Sequence, residues 1–408
     1  MQKGFRLRAW GMVSMGAFMD FVATGLFFYS YGVFFPVIIE EFEINRSSTS
    51  LGISLFLTVT ALFSPAVGVM LNRFPMKNVF SMGALTMATG LWLISVAPSA
   101  LLLLPGVIIC GIGAATLGQI APPRLVANWF VHRRGFALGL TAVGISLSGV
   151  IMPLVANQLI THLGWAQAVQ SYALFAACIV APVALFFIIE KPQDVGLLPD
   201  GNPNQAPLPP PIKRLSKRYR SSLIYNPSIW LLAFLFGAQF CTVSAVLIHI
   251  VPLGIDKGLS SGDAALLLSL TASLAVVGKI VIGGASDRIP IHLLLLFSIA
   301  LQTVAALLLF GPSEWWAMVA GAALFGMGYG GLVPLQNQLF ARAFGRSMAL
   351  AMGISRPMML PLQLLGPPVV GLIFDLTGSY DSAAYFLLSM MLIAAVLSVL
   401  QQRYLRHT

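Results

Sequence analysis

The sequence predicts an all-α membrane protein: twelve spanning helices in two pseudo-symmetric halves of six. Three observations predict it. Of 408 residues, 58 % are hydrophobic and only 9 % are charged, against about 25 % charged in soluble domains; the mean hydropathy is +0.89. Twelve apolar runs follow one another, each near the ~20 residues that a helix needs to cross a bilayer core. The basic residues fall between those runs with a consistent alternation.

The N-terminus carries Lys3, Arg6 and Arg8 ahead of an apolar run at about 10–35. That run is too long for a signal-peptide core and lacks a cleavage site, so it reads as an uncleaved first span. Runs at roughly 50–71, 79–97, 101–126, 136–159 and 168–189 complete the first half, residues 1–189. Residues 190–225 break the pattern with Lys191, Pro192, a Pro/Asn/Gln stretch ending in Pro209-Pro210-Pro211, and the basic cluster Lys213, Arg214, Lys217, Arg218 and Arg220. The segment reads as a linker with a basic, membrane-proximal end. Runs near 226–251, 264–285, 290–310, 315–339, 347–373 and 382–401 form the second half, residues 226–408.

The positive-inside rule orients the chain. Of 23 Lys and Arg, only Arg46 and Lys257 fall in loops on one side; Arg124, Lys279 and Arg356 lie within runs, and the other eighteen lie on the opposite side or at the termini. Both termini are therefore expected in the cytoplasm, with the protein in the plasma (inner) membrane. The net charge of +10 is then a topology signal rather than a nucleic-acid footprint.

The halves repeat weakly. Gly68, Asn72 and Arg73 close the second run, and Gly283, Asp287 and Arg288 close the eighth, 215 positions on. Phe136-Ala137-Leu138 after Arg134 matches Met348-Ala349-Leu350 after Arg346, 212 positions on. A near-constant offset across two six-span halves argues for internal duplication.

The common chemical motifs are missing. No GxxxxGK followed by Ser or Thr occurs, nor HExxH, nor GxSxG, nor a metal-spaced His/Cys cluster. ATP-driven pumping and ordinary hydrolysis lack their parts, and neither enzyme, cofactor nor metal is expected. Cys110, Cys178 and Cys241 lie far apart in apolar runs and read as small buried hydrophobes.

Twelve spans in 6 + 6, the central basic linker, and Gly-x-x-x-Asn-Arg and Gly-x-x-x-Asp-Arg after the second and eighth spans resemble the major facilitator superfamily. Asn128-Trp129-Phe130, Arg133-Arg134-Gly135 and Ala137-Leu138-Gly139 are similar to the segment entering the fifth span in its monocarboxylate porter and oxalate/formate antiporter group. Tyr31-Gly32-Val33-Phe34-Phe35 and the stretch from Gly371 to Tyr380 point the same way. The resemblance implies the major facilitator fold, with spans 1, 8 and 11 lining a central cavity. It also implies a gating role for Asn72, Arg73, Asp287 and Arg288. Two departures stand out. Asn72 occupies a position where the superfamily usually has an acid, which weakens the first inter-helix charge clamp and leaves Asp287 in the second. Lys279, after Gly278, stands where the group carries arginine, so the charge is kept and the bidentate fork lost.

Charges inside spans cost about 2.5–3.5 kcal/mol at mid-bilayer and usually face a cavity or a partner. At 1.5 Å per residue, Arg356 lies ~15 Å beyond Arg346, Lys279 about 12 Å before Asp287, and Asp20 about 18 Å beyond Arg8. Two cations and one carboxylate thus reach similar depths. Arg356 and Lys279 are the expected substrate ligands. Asp20 either carries a proton or pairs with a cation as a bridge between spans. Gln363, Asn337 and Tyr329 are polar groups that complete the expected site; His249 is a second titratable candidate for proton coupling, and Arg124 at the end of span 4 a gating one.

The reading is a secondary transporter for a small organic carboxylate, working by alternating access with a proton or counter-anion, as a monomer in lipid. Efflux of neutral or amphipathic compounds is the alternative within transport. A non-transporting receptor or scaffold is the alternative outside it, and it lacks a folded extramembrane domain.

Overall fold

The computed structural model describes residues 2–44, 46–201, 223–311 and 314–407. Among them are helices and no strand. Twelve helices are long and apolar enough to cross a membrane, numbered spans 1 to 12: Phe5–Phe35, Gly52–Arg73, Met76–Ser95, Ala100–Trp129, Arg134–Leu163, Trp165–Phe187, Pro227–Asp256, Leu266–Ala285, Ile291–Phe310, Trp315–Phe344, Met348–Phe374 and Asp381–Tyr404. These are the expected spans, several of them longer than their apolar runs. Span 1 lies in a helix that starts at Gln2, and span 10 continues to Phe344. The Pro-rich stretch and the basic cluster from Lys213 to Arg220 lie outside the described residues. Outward-facing Leu101, Leu154 and Phe186 are exposed, as lipid-contacting side chains must be. Cys110 and Cys241 are buried, whereas Cys178 is exposed. Its reading as a buried hydrophobe is corrected: it shares an outward apolar surface with Leu174 and Ile179.

The chain forms two compact units. Unit 1 comprises Met1–Leu215 with Arg346–Ile354; unit 2 comprises Ser216–Gly345 and Ser355–Thr408. The repeat seen in sequence reappears in their internal geometry. In unit 1, Thr60 of span 2 donates its hydroxyl to the Phe56 carbonyl at 2.7 Å and reaches the Gly111 carbonyl of span 4 at 3.2 Å. In unit 2, Thr271 of span 8 does the same with Leu267 at 2.8 Å and Ala322 of span 10 at 3.2 Å. Each hydroxyl saturates a backbone group where no water is available.

Helices in lipid gain little from hydrophobic exclusion and associate through close packing. Span 5 crosses span 1 at Gly144, where any Cβ would collide with the Ala17 carbonyl. Span 11 crosses span 7 at Gly366, where a Cβ would collide with the Cys241 carbonyl. Each unit therefore uses one missing side chain to bring its first and fifth helices together.

Spans 4 and 10 are divided, and spans 1 and 6 carry a π-helical turn at Gly25–Tyr29 and Ala176–Val180. Span 4 divides into Ala100–Leu117 and Ala121–Trp129. Span 10 divides into Trp315–Gly330 and Leu332–Phe344. Span 11 stays helical through Pro357, Pro361, Pro367 and Pro368, although each proline removes an N–H and orphans the carbonyl four residues earlier.

The end of unit 1 that holds the N-terminus is tied together by polar contacts. Asn128 Nδ2 donates to the Glu190 carbonyl at 3.1 Å, and Trp129 Nε1 to the Ile189 carbonyl at 3.0 Å. The Asn-Trp-Phe segment is thus a clasp between spans 4 and 6. Beyond span 6, Asp200 accepts the Val131 N–H at 3.1 Å on both oxygens and the His132 N–H at 2.9 Å. The start of the linker is thereby folded back on the loop between spans 4 and 5.

Candidate functional site

The candidate residues divide between the two units. Asp20, Asn72, Arg73 and Arg124 belong to unit 1, whereas His249, Lys279, Asp287, Arg288, Tyr329, Asn337, Arg356 and Gln363 belong to unit 2.

In unit 1, Asp20 is 2 % exposed, and its Oδ1 accepts the Gln119 N–H at 3.0 Å. Local covalent geometry explains the contact. Gly118 is extended at ψ −179°, which takes the Gln119 N–H out of helical register with the preceding turn, and Gln119 itself adopts φ +59°. The second half of span 4 then opens with Pro122 and Pro123, which have no N–H. A carboxylate from span 1 satisfies the donor that the break exposes, and leaving such a group unmade in lipid costs several kcal/mol. Thr24, one turn on, donates to the Asp20 carbonyl at 2.7 Å and lies 2.8 Å from the Ser148 hydroxyl of span 5. Asp20 therefore sits where spans 1, 4 and 5 are coupled.

At the N-terminal end of the same unit, Arg124 Nη1 donates to Asn72 Oδ1 at 2.8 Å; both residues are 7 % exposed. The amide accepts a charge-assisted bond in place of the missing acid. The negative charge acting on Arg124 comes from Glu190 at the end of span 6, whose Oε2 also accepts the Met76 N–H at 3.2 Å. Arg73 beside them is exposed. Unit 2 carries the counterpart at the same sequence separation: Gln338 Nε2 donates to the Ser286 carbonyl at 3.3 Å. Asp287 is half-buried and Arg288 exposed. Sequence reasoning missed Glu190 and Gln338.

In unit 2, Lys279 is 5 % exposed within span 8. Its neighbour Gly278 lies with its backbone against the Met327 carbonyl of span 10, where a Cβ would collide. Arg356 is half-buried in span 11. One turn further, Met359 Sδ accepts from Gln336 Nε2 at 3.5 Å, joining spans 10 and 11. Gln336 Oε1 and Asn337 Oδ1 are buried without a hydrogen-bond partner among the described residues. Two unsatisfied amide oxygens on adjacent residues are costly and mark a place where a donor is wanted. Tyr329 packs on Phe325 at 5.7 Å between ring centroids.

The remaining two candidates stand on the proline-rich helix or against it. The Gln363 carbonyl, orphaned by Pro367, accepts the Ser244 hydroxyl of span 7 at 3.0 Å. His249, also on span 7, has Nε2 3.0 Å from the Pro367 carbonyl and Nδ1 3.2 Å from the Tyr380 hydroxyl. Nε2 must donate to the carbonyl. Nδ1 accepts from Tyr380 when the ring is neutral and donates to the same oxygen when it is charged. Both protonation states are therefore satisfied in one geometry, and Tyr380 in turn stacks on Phe374 at 4.5 Å.

Comparisons with known proteins give these membrane helices their family. The family described as Major Facilitator Superfamily matches residues 14–359 and 250–406. The chain is 26 % identical over 400 residues to Monocarboxylate transporter 12 of Rattus norvegicus, covering 92 % of this chain and 82 % of that protein. It is 27 % identical over 393 residues to Monocarboxylate transporter 2 of Mesocricetus auratus, covering 91 % and 79 %. Among solved structures, the transporter FucP in its outward conformation superposes with a TM-score of 0.74 at 18 % identity, covering 96 % of this chain and 97 % of that one.

Proposed function

The chain belongs to the major facilitator superfamily of secondary transporters, and from that premise we propose that its cargo is a small organic carboxylate. The protein moves it by alternating access, with a proton or against a counter-anion. The observation that carries this reading is Lys279, a cation 5 % exposed inside a membrane span. A charge so placed faces a polar cavity or a partner, and Arg356 on span 11 supplies a second positive group in the same unit. Asn337, Gln363 and Tyr329 add polar contacts around them. The distant kinship to proteins named monocarboxylate transporters supports the same class of cargo.

Asp20 and His249 are the groups we assign to proton movement. Asp20 holds the break of span 4, so its protonation weakens the bond to Gln119 and couples the proton to the conformation of that helix. Asn72, Arg73 and Arg124, with Asp287 and Arg288 in the repeat, brace the helices that rearrange. The basic N-terminal residues and the charge asymmetry support an orientation with both termini in the cytoplasm.

The test is uptake of labelled mono- and dicarboxylates into proteoliposomes, with and without an imposed pH gradient. Saturable uptake of a carboxylate that an unlabelled carboxylate competes for is the expected result. Transport of neutral solutes alone would overturn the assignment. One observation favours that second reading: an apolar cavity in unit 1 lined by Phe27, Tyr31, Phe34, Leu91, Leu103 and Tyr172, which suits an uncharged or amphipathic compound.

A further inference from the structure

At the N-terminal end of unit 1, a cavity of about 210 Å³ that none of the candidate residues above lines is formed by Phe5, Arg6, Trp10, Phe130, His132, Arg133 and Asp200. Its floor is aromatic. Trp10 and Phe130 stand 5.0 Å apart between centroids and Phe5 and Phe130 6.2 Å apart, and Phe5 and Phe130 are buried. Its rim is basic: Arg6, His132 and Arg133 are exposed around it. The one acid, Asp200, is already engaged by the backbone N–H groups of Val131 and His132. Neither guanidinium has a hydrogen-bond or ion-pair partner among the described residues. Three separate stretches of chain build the pocket: the start of span 1, the loop between spans 4 and 5, and the beginning of the linker.

We propose that this pocket binds a phosphate group. Two guanidinium forks above an apolar floor match a phosphate carried on a less polar body, and Asp200 closes one wall without cancelling both charges. The phosphate comes either from an anionic lipid, whose headgroup lies at the level of Trp10, or from a soluble phosphate ester. Binding clamps the loop between spans 4 and 5 to the first helix and the linker. The anion is distinct from the cargo of the proposed transport reaction and does not depend on that reading.

The test is local hydrogen–deuterium exchange in the full-length protein, read at residues 130–134. One arm uses nanodiscs of phosphatidylcholine with or without phosphatidylglycerol. The other uses neutral nanodiscs with glycerol phosphate added in solution. Protection of the loop in the first arm alone identifies a lipid headgroup; protection in the second identifies a soluble ester. In either case Arg6→Gln and Arg133→Gln should each weaken the effect about fivefold, from the contribution of one cation near an anionic surface. The double Arg6→Lys, Arg133→Lys variant, which keeps the charge and controls for folding, should retain most of it. No protection in either arm, or protection that survives Arg6→Gln with Arg133→Gln, would overturn the proposal.

Discussion

The carboxylate of Asp20 on span 1 accepts the backbone N–H of Gln119 on span 4 at 3.0 Å, at the point where span 4 is broken. One side chain thereby answers a backbone defect in another helix. The same group is the buried acid of unit 1 that we assign to proton movement, so structural and coupling roles can be separated by substitution. Asp20→Asn keeps an oxygen for the Gln119 N–H and removes the titrating proton. Such a variant should fold with little change in Tm, exchange substrate, and lose pH-driven accumulation in proteoliposomes. Asp20→Ala should lose about 1–3 kcal/mol of stability from the orphaned donor. Full proton-driven accumulation by Asp20→Asn would eliminate Asp20 as the coupling group and move attention to His249.

The two cations of unit 2 make different demands. Arg356→Ala should insert and fold but bind its carboxylate at least tenfold more weakly, as loss of a charged hydrogen bond worth about 1.5–3 kcal/mol implies. Lys279→Arg should be tolerated better than Lys279→Gln, because positive charge is the shared requirement. Substrate affinity from competition uptake decides both, and wild-type affinity in Arg356→Ala would remove that residue from the site.

Ser244 and Pro367 should show strong energetic coupling. The serine hydroxyl lies 3.0 Å from the Cys241 carbonyl of its own helix and 3.0 Å from the Gln363 carbonyl, which Pro367 leaves without an N–H. Ser244→Ala alone should cost about 1 kcal/mol. In a Pro367→Ala background the restored N–H takes over that carbonyl, and Ser244→Ala should become nearly neutral. A double-mutant cycle on thermal stability reads the difference; additive costs would show that the hydroxyl serves another partner.

Asn72→Asp tests the brace at Arg124. A carboxylate would convert the 2.8 Å bond into a buried ion pair beside Glu190. If Arg124 can hold two acids, Tm should rise and turnover should slow as spans 2 and 4 resist separation. A fall in Tm would show that Glu190 already neutralises the guanidinium and that a second acid is repelled.

Most of the architecture was legible in one dimension because a bilayer imposes one-dimensional rules. Span length follows from hydrocarbon thickness, so twelve apolar runs became twelve spans with ends shifted by a few residues. The 212- and 215-residue offsets in the sequence have a structural counterpart in matched contacts 211 residues apart, Thr60 to Gly111 and Thr271 to Ala322. The buried status of Lys279 and Asp20 was also foreseeable, since each stood in the middle of an apolar run.

Other features depended on which helices meet. Pro122, Pro123 and the four prolines of span 11 remove backbone donors, and no sequence pattern says which side chains satisfy the carbonyls they expose. Ser244 does so for Pro367, from a helix far away along the chain. The sequence also showed the missing acid at Asn72 without showing that Glu190, more than a hundred residues on, supplies charge to the same arginine. Composition and periodicity determine how each segment meets lipid, because that depends on the segment alone. Hydrogen-bond partners between segments are a matter of distance in three dimensions, and only the packed structure decides them.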